Sequence, residues 1–351
     1  MKLWRRDRPA AEEVDTGVVL DGRVWVGDGT EISDGRVVVD AAGTIAAIRP
    51  APDIEAPFGA VRLSAPWIGP GLYDAHVHLA FGRPEDFVAA GVVAVRDLGA
   101  PPVDAALWRQ LAAPTVTVAG PLLTAPGGYP SRSWGSNGFA AFVDDVEQAT
   151  RLVTGLAANV DVMKLALEPA GGSVPSPAVA AAVVDAAHAA GRDVVCHALT
   201  VEMVERALDA GVDELAHTPT ETLPEELIAR IAAAGVGVVS TLHTFVKSGI
   251  GASAIANAAA LAAAGVRLRY GTDLGNSGIV AGTDPRELQL LADEVGLGAD
   301  GALQAATVPL AVGTSAGVVA LGRDPHEDVK EWRRPRVVLV GRMLLQRSRG
   351  R

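Results

Sequence analysis

Residues 69–79 read Gly-Pro-Gly-Leu-Tyr-Asp-Ala-His-Val-His-Leu. A turn-forming Gly-Pro-Gly opens onto a short run that carries Asp74, His76 and His78 at every second position. On a strand, residues i and i+2 share a face, so both imidazoles project to the same side. Side by side they can hold one divalent ion, with Zn–N bonds of about 2.0–2.1 Å. Two hydrogen-bonded strand histidines would give the same local pattern, so its meaning depends on what the rest of the chain brings to it.

Beyond this stretch, short apolar runs ending in polar residues alternate with Ala-rich helical stretches. The pattern predicts strands over 73–79, 92–97, 115–120, 160–166, 193–198, 214–218, 237–242 and 266–273. Helices are predicted over 177–190, 201–210, 224–234, 253–264 and 284–295. Eight strands alternating with helices point to an α/β protein built as a (β/α)8 TIM barrel, an open doubly wound sheet being the other arrangement. Residues 17–68 read instead as short strands broken by Asp21-Gly22, Asp28-Gly29, Asp34-Gly35 and Gly43, which is hairpin chemistry. Strand character returns at 318–321 and 336–345. The two β segments are expected to pair into one small β-sandwich domain. The chain then divides into residues 1–68 and 313–351 for that domain and 69–312 for the barrel, with 313–322 (GTSAGVVALG) shortening its C-terminal part. The loop 121–140 is the longest irregular stretch, and long loops at strand C-termini tend to build sites.

The 351 residues are 49% hydrophobic and 20% charged, which suits a globular core, and only 4% aromatic, so aliphatic side chains must fill it. The formal net charge of −11 speaks against nucleic acid, which wants a basic face, and against anionic lipid. No run approaches the roughly 18–20 apolar residues of a membrane span. Met1–Asp15 opens with basic residues but has no apolar stretch behind them, unlike a secretory signal. Cys196 is the single cysteine and cannot form an internal disulfide, so a cytoplasmic protein is expected. Next to His197 on a strand, it points to the opposite face and reads as a small apolar filler.

Five of the seven histidines (His76, His78, His197, His217 and His243) fall at or near predicted strand C-termini, which in a barrel share one mouth. His197 ends DVVCHA and His217 ends DELAHT twenty residues later, about one α/β step. Asp273 ends VRLRYGTD; a carboxylate there can cap a helix, or beside imidazoles it can ligate a metal and accept a proton. Lys164 lies inside the apolar VDVMKLAL. Desolvation there would lower its pKa and expose an amine, although a lysine snorkelling from a strand end would look alike. His188, in a helix, and His326, in the C-terminal segment, read as solvated.

Taken together, GPGLYDAHVHL, VRDLG at 95–99, the strand with Lys164, the strands ending at His197 and His217, and GTD at 271–273 resemble the amidohydrolase superfamily in content and order. The likeness runs over residues 17–345 and is strongest to the imidazolonepropionase-related, zinc-dependent prolidase-like branch. It implies two divalent ions, zinc in that branch. His76 and His78 would bind the deeper ion, His197 and His217 the other. Lys164, carboxylated by CO2, would bridge both, and Asp273 would ligate the first ion and shuttle the proton. The implied reaction is hydrolysis of a carbon–nitrogen bond: a metal-bridging hydroxide attacks the amide carbonyl of a small peptide or cyclic amide, with Asp273 as general base and acid. Where relatives carry a histidine after a Gly-Gly pair, this chain has Tyr129. Tyr129, Arg132 and His243 are candidate substrate contacts, Arg132 through a substrate carboxylate.

Two further readings stay open. One is a mononuclear deaminase or imidazolonepropionase-like ring hydrolase, against which Lys164 argues. The other is a non-catalytic binding protein on a degenerate barrel, although no ligand of the set is missing. The expected partner is a small molecule or short peptide, with no nucleic acid and no membrane; a homo-oligomer is compatible with the sequence.

Overall fold

The computed structural model describes residues 11–347; most of the N-terminal stretch read above lies outside them. Three sheets form. The strands Leu72–Val77, Val92–Asp97 and Thr115–Val118 pair in parallel in one sheet. A second, also parallel, runs in the order Ala140–Phe142, Leu122–Thr124, Val162–Leu167, Asp193–Ala198, Glu214–Leu215, Gly237–Val239 and Leu268–Arg269. Backbone hydrogen bonds join the two sheets at both edges: Asp161 N to Val118 O at 2.8 Å and Ala75 N to Tyr270 O at 3.0 Å. Helices follow most of these strands. Pro177–Ala189 is capped by the Ser176 hydroxyl, and Val201–Ala210 is capped by Thr200 and closed by Gly211 in the left-handed region, as helix termini require. Their apolar sides and the outer faces of the strands form one large core, which includes Val95, Leu165, Val183 and Leu215.

The third sheet is a single mixed order of eight strands that takes in both ends of the described chain. Val61–Pro70 pairs in parallel with Val18–Trp25 and antiparallel with Gly317–Leu321, which in turn pairs with Val337–Val340. One face buries Val18, Leu20, Val37, Val318 and Leu339 in a core of its own. The other sets Trp25 and Trp67 against the parallel strands' core.

Several boundaries differ from the sequence reading. Asp21-Gly22 and Asp34-Gly35 are not turns; they lie within Val18–Trp25 and Glu31–Val39, with Gly22 opposite Gly35. A Cβ on Gly22 would come within 2.0 Å of the Ala65 carbonyl oxygen, so the glycine admits a neighbouring backbone at a register shift rather than reversing the chain. Asp28-Gly29 does turn, with Asp28 accepting from Thr30 N at 2.9 Å. The strands expected over 214–218, 237–242 and 266–273 keep regular pairing only over Glu214–Leu215, Gly237–Val239 and Leu268–Arg269. Beyond them the backbone departs into the positions that carry functional side chains. At Thr241 it enters the left-handed region (φ 46°), and a helix, Leu242–Lys247, starts where strand was expected. The loop 121–140 has short strands at its two ends, Leu122–Thr124 and Ala140–Phe142. His326 is half-buried rather than fully solvated: its ring sits edge-on to Trp25, 5.3 Å between centroids. No helix among the described residues is long and apolar enough to cross a membrane.

Candidate active site

Side chains from the ends of the parallel strands converge on one polar cluster. His76, His78 and Asp273 each offer a ligand atom, and these atoms lie within 4.8 Å of one another. The Asp273 Oδ1 stands 3.4 Å from His76 Nε2 and 3.6 Å from His78 Nε2. His76 donates from Nδ1 to the Ala216 carbonyl at 2.8 Å, which leaves Nε2 as the free lone pair facing Asp273. The ladder of this strand is irregular between Asp74 and Val77, yet the two imidazoles still turn to the same carboxylate.

Asp74, the first polar residue of the opening motif, fixes this end of the strand. Buried, it accepts from the Thr272 hydroxyl at 2.6 Å, Thr272 N at 3.0 Å and His76 N at 3.2 Å, which ties the histidine strand to the residue before Asp273. Asp273 itself has φ 53°, a left-handed conformation that aspartate tolerates better than most side chains. Its amide donates to the His76 carbonyl at 2.8 Å and its Oδ2 accepts from Asn276 Nδ2 at 2.7 Å.

His217 packs 4.5 Å from the His76 ring and 4.8 Å from the His197 ring, centroid to centroid. Its Nδ1 lies 3.0 Å from the Thr241 hydroxyl and 3.9 Å from Asp273 Oδ2. His197 turns its Nε2 to Glu168 Oε2 at 3.0 Å. Glu168 and His197 stand 29 positions apart, so nothing local in the sequence links them. Lys164 points to the same side of its strand as Ala166, whose register partner is His197. It is 1% exposed, and its Nζ has no hydrogen-bond partner.

Burial sets the protonation of the cluster. It pushes the His78 imidazolium down to about 3, and those of His76 and His217 well below the usual value; His197 is lowered as well. The nearby Lys164 charge adds to each shift. Neutral imidazoles are the form that binds metal. Burial also lowers Lys164 to about 7 and raises the Asp273 carboxyl, with each group's charge opposing the other's shift. Beneath the cluster, buried Glu214 pairs with Arg96 and, at 2.9 Å, with Arg269 Nε; Arg96 Nε also donates to the Ala75 carbonyl at 2.8 Å.

The cluster opens into a cavity of about 490 Å³ lined in part by His78, His197, His217 and Asp273. Tyr129 lines it too, its ring 5.0 Å from His197 and its hydroxyl accepting from Trp134 Nε1 at 3.2 Å. The other two candidate contacts stand outside this lining. Arg132 is exposed, its guanidinium lying against Gly127. His243 is tied through Nδ1 to Asp284 Oδ2 at 2.5 Å, a partner 41 residues away that no local pattern assigns.

The model of the amidohydrolase family matches residues 67–325. The chain belongs to the amidohydrolase family. It is a hydrolase of carbon–nitrogen bonds, and the family generally uses divalent metal, for which His76, His78 and Asp273 offer a place. No curated protein matches the sequence. Among solved structures, one from Bifidobacterium longum described as a prolidase is 24% identical, with a TM-score of 0.82 over 96% of this chain and 97% of that one. An A. niger ochratoxinase is 20% identical, with a TM-score of 0.79 over 94% and 96%. A Xaa-Pro dipeptidase with methionine bound in its active site is 20% identical, with a TM-score of 0.80 over 95% and 100%. At these identities the likeness is one of fold. This amidohydrolase shares with them a TIM-barrel-like α/β architecture with a β-rich part.

Proposed function

We propose that this amidohydrolase is a binuclear, zinc-dependent enzyme of the prolidase-like branch that hydrolyses an amide of a small peptide or a cyclic amide. Its parallel strands, residues 69–312, are read as a closed (β/α)8 barrel, flanked by a small β-sandwich domain from 1–68 and 313–351. The observation that carries the reading is the convergence of neutral imidazoles on Asp273 beside a buried lysine amine without a partner. Buried polar atoms ordinarily find partners, and His76 Nε2 and Lys164 Nζ have none within the protein. A pair of divalent ions and a carboxylated lysine would satisfy both.

His76, His78 and Asp273 would hold one ion and His197 and His217 the other, with carboxylated Lys164 between them. Such ions polarise a carbonyl and make a water acidic near neutral pH. Asp273 would accept the proton from the attacking water and return it to the leaving nitrogen. The Tyr129 hydroxyl, in the cavity lining, would donate to a substrate oxygen, and Asn276 holds the Asp273 carboxylate through Nδ2.

Purified protein is expected to carry two divalent ions per chain by elemental analysis, and native mass spectrometry should find CO2 added at Lys164. Chelation should abolish amide hydrolysis, and zinc with bicarbonate should restore it. Less than about half an ion per chain, with no hydrolysis after zinc is added, would end this reading; one ion and an unmodified lysine would favour the mononuclear one.

Glu168→Ala should weaken the second metal equivalent about 10–100-fold by chelator competition, the usual cost of losing an outer partner of a ligating histidine. The first equivalent should not change. Equal weakening of both would remove Glu168 from this role.

A further inference from the structure

The cavity wall adjoining the histidines is aromatic in a chain that is poor in aromatic residues. The sequence has six Trp, three Tyr and six Phe, and Phe81, Tyr129, Trp134 and Phe245 all line this one cavity. Trp134 is the centre of the group. Its ring lies 4.5 Å from His78, 6.1 Å from Phe81 and 6.2 Å from Tyr129. Its Nε1–H is already given to the Tyr129 hydroxyl, so what it offers a ligand is an apolar face. Such faces recognise flat or bulky apolar groups.

The charges in the wall point the same way. Among the described residues lining the cavity, the formally charged side chains are Glu168 and Asp273, both acids. Glu168 accepts from His197 and from Ala170 N at 2.9 Å, and Asp273 is engaged by Asn276. No lysine or arginine is among those described lining residues, and the Arg132 guanidinium lies against Gly127. A substrate carboxylate seated on the aromatic wall would lose its hydration and meet no lysine or arginine among the described lining residues, which is costly.

We infer that the cavity takes an uncharged amide whose aromatic or branched apolar group stacks on Trp134, rather than a dipeptide with a free carboxylate. This rests on the amide-hydrolase reading above and narrows it. The acyl or amine portion carrying the ring occupies the wall of Phe81, Trp134 and Phe245, while the amide carbonyl reaches the histidine cluster. Water adds across the C–N bond, giving the carboxylic acid and the free amine.

The test uses two matched pairs with the full chain loaded with zinc in bicarbonate buffer: phenylacetanilide against its 4-carboxylate, and Phe-Pro amide against the dipeptide Phe-Pro. The uncharged member of each pair is expected to have a kcat/KM at least about tenfold higher, in keeping with an unpaired buried charge. Trp134→Ala and Phe81→Ala should each raise KM for phenylacetanilide several-fold while metal content stays that of the parent. Preference for the carboxylate in either pair overturns this inference and leaves the hydrolase reading standing. Failure to hydrolyse either uncharged compound by protein that holds its metal also overturns this inference, and the hydrolase reading falls with it only if a panel of other dipeptides and cyclic amides is left uncleaved too.

Discussion

Asp273→Asn is expected to lower kcat by about 10²–10⁴-fold, the usual contribution of a positioned general base and acid. Three observations isolate the effect. The residue lies in the left-handed region at φ 53°, and asparagine is among the few side chains that adopt that backbone readily, so the fold should tolerate the change. An amide oxygen remains near His76 and His78, so a bound ion should largely be kept. What disappears is the ability to take a proton. Kinetics with elemental analysis of the same preparation separate these effects. Undiminished hydrolysis would remove Asp273 from the chemistry, and an unchanged biological effect of the variant would favour the non-catalytic binding reading.

The second large effect is one of stability. Glu214→Gln should cost about 3–5 kcal/mol, the range for breaking a buried ion pair by removing one partner. Arg96 and Glu214 are 8% and 4% exposed, and Arg269 shares the same carboxylate. Without it, the buried Arg96 guanidinium loses its counter-charge and is left near that of half-buried Arg269. The melting temperature should fall on the order of 5–10 °C, read by calorimetry or circular dichroism. Arg96 also holds the Ala75 carbonyl, next to His76, so metal affinity should weaken along with stability. The exposed Arg230–Asp209 pair supplies the control: Asp209→Asn should leave the melting temperature nearly unchanged, because solvent screens such pairs. Equal behaviour of the two variants would show that Glu214 is not a buried counter-charge in solution.

Those effects involve residues that differ in how far the sequence exposed them. Val92–Asp97, Asp193–Ala198 and Val201–Ala210 lie where periodicity places them, because β-branched runs and local caps such as Thr200 and Gly211 are signals within a few residues. The convergence of His76, His78 and Asp273 was legible for a similar reason: each ends or follows an apolar run. The distances between them, and any role for Lys164, were not written locally. Gly22 misled, since the backbone it accommodates belongs to Ala65 in another strand. His243 and Glu168 were opaque because Asp284 and His197, which engage them, stand 41 and 29 residues away. The Trp134 wall sits in a stretch with little periodicity, so only the folded chain shows that it faces the histidines.

The strand Gly317–Leu321 completes its sheet by pairing with Val61–Pro70, and this has a consequence for biosynthesis. Everything between residues 70 and 317 must leave the ribosome first, which at usual elongation rates takes on the order of tens of seconds. Throughout that interval the nascent chain carries an open, apolar hydrogen-bonding edge that invites association with its neighbours. High-level production should therefore depend on chaperones and low temperature, and a nonsense mutation late in the gene would yield insoluble material rather than a trimmed enzyme.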